Sequence, residues 1–452
     1  MSRLWVEKSP PTRQNGEKTI TTILLMGGTD MDTRILNELE AAFSEEFSLL
    51  ADDLAALEQA IQGKMQQLGR GLLQRAVQRQ PNGYHGSGLP CPCGGTQRFV
   101  EYRPRQVHSL LGWITIRRAY YHCRNCGASL APYDRHSGLG CEALSPGLAK
   151  ACSLLAVDDS FEQTARKIEQ LFGQKVSPNT IDRLTHQVGT VLLHQADQAL
   201  TDFQRDRQLP QAHVSPKRLY VGADGTTVHE TDGWHESKVG VLYWKDGHGH
   251  RHSRYVGRFD RSEIFGWHLW LAACRCGLRE AEEVVFLGDG ASWIRNERRK
   301  HFGRATFIID WYHALEHLWE CGRMLFGEGT QATEQWVKKR EGWLWDGQTR
   351  NLLNDVHEQH KQHRGQKRDA LARLHRYLRE NEQEMRYDVF RAQGYDIGSG
   401  AVEGACKCVV GKRLKQSGMI WNRTGSSAML ALRIAWLNGE WEPLWQGKPL
   451  AA

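Results

Sequence analysis

Apolar residues recur along this chain with two different periods, and the element changes where the period changes. From Leu36 through Leu39, Phe43, Phe47, Leu50, Leu54, Leu57, Ile61, Leu68 and Leu72 the spacing is three or four with one position skipped. That rhythm predicts a helical, coiled-coil-like segment over 31–82, serving as a dimer seam or packed on its own chain. Residues 1–30 are mixed in composition and predict a disordered tail, with translation starting at Met26 or Met31. Over 83–138 the pattern becomes strand-like: two runs form a hairpin between YHGSGLPCPCGG and CRNCG. Over 140–205 it is helical again. Pro146 opens one helix, Ser160 caps a second, and Ser177 leads a third after a glycine-bearing turn, the outline of a helix-turn-helix.

Gln204 to Pro216 is polar with two prolines and reads as a linker. Beyond it the period is two. Arg218–Val228, Glu236–Trp244 and His252–Phe259 predict a meander, because Asp-Gly signals stand between them. A helix (262–278), a strand ending at Asp289, a helix (292–302) and a strand ending at Asp310 come next. Three antiparallel strands, a helix, then two strands joined by a helix match the ribonuclease-H-like layout. The chain is therefore expected to be multidomain α/β. A ribonuclease-H-like core (215–313) is interrupted by an α-helical insertion (314–393) and completed by final helices (394–445).

Composition adds little to the fold but narrows the function. At 452 residues the chain exceeds one ordinary core. No stretch approaches 18 consecutive apolar residues, so no membrane span is expected. A net charge of +7 and a pI near 8.8 favour polyanionic partners mildly. The eleven cysteines fall largely in close pairs, which suits metal ligation or free thiols in a cytoplasmic, nucleoid-associated protein. Cys91, Cys93, Cys123 and Cys126 flank the hairpin as the ligands of a structural zinc ribbon would. Cys91-Pro-Cys93 is one residue shorter than a usual knuckle, so His85, His122 or His136 stay open as alternative ligands.

The candidate catalytic chemistry lies in three acids. Asp224 ends an apolar strand in YVGADGTTV, Asp289 ends another in VVFLGDG, and Glu403 stands on a helix opened by GSGAVEGACK. Three carboxylates with open positions suit Mg2+ or Mn2+ in two-metal phosphodiester chemistry. Lys407, Lys412, Arg413 and Lys415 lie just beyond Glu403 and are candidate phosphate contacts. Asn179, Thr180 and Arg183 are candidates on the leading face of the third upstream helix.

These motifs resemble those of a DDE transposase of a bacterial insertion sequence, most similar to the ISKra-type group near the Mutator-like elements. The matching stretches are ADGTTV, GDGASWI, DWYHALEHLW, GSGAVEGACK and SGMIW, within roughly residues 85–445. The resemblance implies a catalytic triad of Asp224, Asp289 and Glu403 and a helical insertion before the glutamate. It also implies a D-x-x-H signature at Asp310 and His313, standing behind the triad. The implied activity is binding of the element's double-stranded DNA ends as a homo-oligomer, then metal-dependent strand cleavage and transfer. A nuclease or resolvase that cuts without joining, and a DNA-binding regulator derived from a transposase, are the alternatives. The resemblance also implies that the Asp289 strand neighbours that of Asp224, with the Asp310 strand one further out.

Overall fold

The computed structural model describes residues 53–446 apart from 141 and 399, together with 37, 41 and 44. The expected tail and start site lie outside the described residues. The chain divides into two compact units, up to Arg79 and from Gln80 onward. In the first, α1 (Leu54–Arg79) is the described part of the expected long helix. None of its side chains is buried, and Leu54, Ile61, Met65, Leu68 and Leu72 are exposed.

The second unit opens with a four-stranded antiparallel sheet: β1 (Gly88–Pro90), β2 (Thr96–Ser109), β3 (Gly112–Cys123) and β4 (Ser129–Leu130). Alternation sets β3, whose Ile114, Ile116, Tyr121 and Cys123 point inward. A short helix, α2 (Pro132–His136), comes next. Three helices then appear with the expected starts. Ser145, Ser160 and Ser177 each accept a backbone N–H as N-caps of α3 (Pro146–Ala156), α4 (Phe161–Phe172) and α5 (Pro178–Asp206). Gly173 ends α4 in the left-handed region at φ 63°, the turn that the sequence pattern required. α5 ends at Asp206, just inside the expected linker, and Leu200 and Phe203 bury an apolar face of its last turns.

The second sheet holds β5 (Arg218–Glu230), β6 (Gly233–Lys245), β7 (Arg251–Arg258), β8 (Glu283–Gly288) and β9 (Thr306–Ile309) in the order β7-β6-β5-β8-β9. The first three are mutually antiparallel; β8 and β9 run parallel to β5. α6 (Ser262–Arg275) and α7 (Ser292–His301) connect β7 to β8 and β8 to β9. The helical insertion comprises α8 (Trp311–Phe326), α9 (Gln331–Trp345), α10 (Thr349–Gln362), α11 (Gly365–Glu380), a 3-10 turn (Glu382–Met385) and α12 (Tyr387–Ala392). It begins earlier than expected, since Asp310 caps α8; the boundary drawn after residue 313 falls inside that helix.

The chain returns through α13 (Gly400–Ala405), a π-helical turn (Cys406–Gly411) and α14 (Lys412–Leu414), then α15 (Arg423–Leu437) and α16 (Trp441–Trp445). One apolar core runs without a break from Leu144 to Trp441. The sequence boundaries between helical and sheet segments are thus changes of element rather than gaps in packing. Gly189 shows why: a Cβ there would run into the Ala428 carbonyl, so only glycine lets α5 lie against α15.

Candidate metal centre at the acid edge

β5 and β8 pair so that Gly222 lies opposite Leu287, and β8 and β9 so that Gly288 lies opposite Ile309. Asp224 and Asp289 each stand two residues past that first pair. They share one level at the carboxyl edge, on neighbouring strands about 4.8 Å apart. Asp310 leaves the same edge one strand further out, which is the expected order.

The environments differ. Asp224 accepts the Gly225 N–H at 2.6 Å through Oδ1 and the Cys406 thiol at 3.6 Å through Oδ2. Burial holds its carboxyl above the usual range and the nearby Asp289 charge adds to this, while the Gly225 amide, Cys406 and His313 oppose it. Asp289 accepts the Ala291 N–H at 2.8 Å. Gly290 beside it has φ 87°, and a Cβ would sit 2.8 Å from Ile309, so glycine is required. Asp310 is buried; its Oδ1 accepts the His313 N–H at 2.7 Å and its own N–H donates to Gly288 O. It works as a helix cap, with His313 one turn on.

Glu403 is exposed on α13, and Lys407 donates to it at 2.6 Å. Its helix rests directly on the Asp224 strand: a Cβ at Gly222 would collide with Val402. Cys406, one turn past Glu403, makes the contact with Asp224. Among the described residues, only two groups bring their ligand atoms within 4.8 Å of one another: the four cysteines, and Glu230 with Asp232 and His235. The acid edge is therefore an open arrangement rather than a closed cage. Two further acids of the later chain have partners of their own. Asp396 accepts from Tyr243 Oη at 3.1 Å, and Glu384 pairs with Arg295 at 3.6 Å.

At the other candidate centre, the Cys91 and Cys126 sulfurs lie 3.5 Å apart and those of Cys93 and Cys123 3.7 Å. A tetrahedron with Zn–S bonds of about 2.3 Å has edges of about 3.8 Å. The short Cys91-Pro-Cys93 spacing is accommodated by Gly94 at φ 82°, with Cys91 N–H returning to Gly95 O. Among the described residues no histidine joins the group. Backbone amides of Cys126 and Asn125 draw the Cys123 thiol down to about 7 against burial. Cys91 rises to about 12: the Cys93 amide opposes the shift, and burial with the neighbouring sulfurs outweighs it. One thiolate poised among thiols is the state from which a metal displaces protons.

A model of the uncharacterised protein family UPF0236 matches residues 55–444. The chain belongs to that family. It is also similar to a Streptococcus gallolyticus protein described as "UPF0236 protein in vanSb 3'region". The two are 26% identical over 352 residues, 75% of this chain and 74% of that protein. The family match thus takes in both candidate centres.

In this UPF0236 chain the candidate DNA contacts fare unevenly. Asn179 is exposed at the start of α5. Thr180 Oγ1 meets Ser177 Oγ at 2.9 Å, and the Arg183 fork is held by Glu142 at 2.8 and 3.1 Å. Lys412 pairs with Asp158 at 2.9 Å and Lys415 donates to Thr226 at 2.7 Å, both from exposed positions. Arg413 requires correction: it is fully buried, donates to Ala156 O, and lies 4.9 Å from the rings of both Phe161 and Trp421. An extra residue in the π-helical turn rotates the next residues of the helix by about 100°, which swings Arg413 inward. Burial lowers it to about 10, with Arg433 adding to the shift. Sequence reasoning also missed Cys406, Arg295, His317 and Tyr377. Only His317 carried a signal, standing four residues after His313 on one helix face.

Proposed function

We propose that the chain is a transposase of the DDE type, which binds the ends of its insertion sequence and cuts and joins DNA strands. The observation that carries this is the shared level of Asp224 and Asp289 on neighbouring parallel strands, with the Glu403 helix seated on the Asp224 strand through Gly222 and Val402. The strand order supports a ribonuclease-H-like core, the four-sulfur group a zinc ribbon, and α3–α5 a helix-turn-helix; the open apolar face of α1 suits a second copy. Among the described residues no helix is long and apolar enough to cross a membrane.

The donor set fits hard divalent ions. Asp224 and Asp289 are close enough to repel, and a cation between them relieves that repulsion. Mg2+ or Mn2+ bound there would supply activation of the attacking oxygen and charge neutralisation at the leaving oxygen. The chain's part is to hold Asp224 by the Gly225 amide and Cys406, to hold Asp289 by the Ala291 amide, and to bring Glu403 in from the opposite element. Water or a 3′-hydroxyl attacks phosphorus in line and gives its proton to solvent, the P–O3′ bond breaks, and the leaving 3′-oxygen takes a proton from solvent. Zn2+ at Cys91, Cys93, Cys123 and Cys126 would be structural.

The test is purified protein with duplexes from both flanks of its own gene and Mg2+, scored for binding, cutting and joining. Cutting without joining selects a nuclease, and binding without cutting selects a regulator. Activity in the Asp224→Ala, Asp289→Ala or Glu403→Ala variant removes that residue from the triad.

A further inference from the structure

Two hydrogen-bond donors beside Asp289 are shut off from solvent and meet no acceptor among the described residues: Tyr377 Oη and Arg295 Nη2. Neither is an ordinary core group. Tyr377 comes from α11, in the helical insertion, and its ring lies 3.8 Å from that of His317, which in turn lies 4.8 Å from that of His313. This row leads back to Asp310, whose carboxylate holds the His313 amide. Burial pushes the Tyr377 phenol up; the Asp289 charge adds to this, Arg295 opposes it, and Asp310 adds again, so all three are within electrostatic reach. Arg295 comes from α7, the helix directly after Asp289. Its Nε donates to Gly290 O at 3.0 Å and its Nη1 faces Glu384 at 3.6 Å, which fixes the guanidinium and leaves Nη2 over.

A buried donor without an acceptor costs about 1–3 kcal/mol, and an acceptor brought in by a ligand would relieve that cost at both. Their chemistry selects the ligand. A guanidinium N–H can only donate, and a phenol held neutral can donate its O–H, so the pair suits an anionic oxygen that accepts from both. The acids alone would repel an anion, and Arg295 supplies the positive charge that admits one.

We infer that Tyr377 Oη and Arg295 Nη2 receive a non-bridging oxygen of the DNA phosphate presented to Asp224 and Asp289. The inference rests on the strand-cutting reading above. It gives the helical insertion a part in the chemistry: α11 carries one of the two donors. Tyr377 touches substrate in this account, so it is a catalytic residue. His317, packed on its ring, is a positioning residue.

Tyr377→Phe removes one oxygen and keeps the ring on His317. Cleavage of the flanking-DNA duplexes should fall roughly 10²-fold, as for loss of one preorganised donor. The melting temperature should stay level or rise, because no bond within the fold is lost. Arg295→Lys keeps the charge without Nη2 and should show a loss of the same order. A lower melting temperature with unchanged cleavage would mean that the hydroxyl has a partner in the fold, and would overturn the inference. So would unchanged cleavage in both variants while Asp289→Ala stays inactive, which leaves the strand-cutting reading standing. Wild-type protein that cuts with neither Mg2+ nor Mn2+, or an Asp289→Ala variant that cuts normally, takes down that reading and this inference with it.

Discussion

The sulfur of Cys406 stands 3.6 Å from Oδ2 of Asp224, one helical turn beyond Glu403. The helix bearing the third acid thus touches the first acid through a thiol. Asp224 is buried enough, and near enough to Asp289, that folding disfavours its charge. A carboxyl raised in the folded state gives stability that is complete below its unfolded pKa and is lost as pH rises through the folded one. At pH 7 the charge is therefore a standing cost. Asp224→Asn should melt roughly 1–3 °C above wild type at pH 7, with the difference closing below about pH 4. Mn2+ should raise the wild-type melting temperature and leave the variant's unchanged. A variant that melts below wild type at pH 7 contradicts the account.

Asp289 and Asp310 both end apolar strands, yet only Asp289 has a strand neighbouring that of Asp224. Asp289→Ala should abolish metal-dependent cutting. Asp310→Ala removes the cap of α8 and should cost about 1 kcal/mol of stability while leaving part of the activity. An inactive, fully stable Asp310→Ala beside an active Asp289→Ala reverses the assignment.

Gly222 sets how closely the Glu403 helix approaches. Gly222→Ala forces Val402 away from β5. The overpacking should cost about 1–3 kcal/mol. Cutting should fall more steeply than DNA-end binding, because Glu403 moves with Val402. Equal losses in both assays would mean that the helix position does not matter to the acid edge.

The four sulfurs should hold one zinc per chain, read by elemental analysis of protein purified without chelator. Serine at Cys91 should release zinc as readily as serine at Cys123, since all four sulfurs belong to one group. Retention of zinc in the Cys91→Ser variant would show three-sulfur ligation completed elsewhere.

Much of the fold was readable because its signals are local. Serine N-caps, the glycine after Phe172 and the Asp-Gly turns each act within a few residues, and they fixed the starts of α3, α4 and α5 and the β5–β7 meander. That the Asp289 strand would neighbour that of Asp224 came from the resemblance; the shared level came only with the strand register. The hidden parts depend on contacts across the chain. Arg413 sits in a run of basic residues that reads as a solvated face, and nothing in KRLK announces the π-helical turn that buries it. The Cys91/Cys93 pair looked one residue short because its turn is rescued by Gly94 and by partners some thirty residues on. Tyr377 lies in a helical stretch with no strand or turn beside it, and only the packing of α11 brings it to Asp289.

Arg413 and Lys407 should separate in a salt titration. Arg413→Met leaves the Ala156 carbonyl without its donor and should cost about 1–3 kcal/mol, with the salt slope of DNA binding unchanged. Lys407→Ala should leave the melting temperature in place. If Lys407 meets a phosphate, the slope should drop by about one. A shallower slope for Arg413→Met at equal stability would place that arginine on the DNA after all.

The unbroken core between α5 and the acid edge makes this part of the molecule a ruler. Asn179 and Asp224 are held at a fixed separation by packing, with Gly189 locking α5 onto α15, and the polar stretch after Asp206 is pinned midway by the His213 N–H on Arg275 O. If α5 grips a DNA end, as the proposed function requires, that end would be measured off against the acids, and the nucleotide cut would be set by how far the double helix reaches along that span. Lengthening the stretch between Asp206 and Arg218 should leave the cut position where it is.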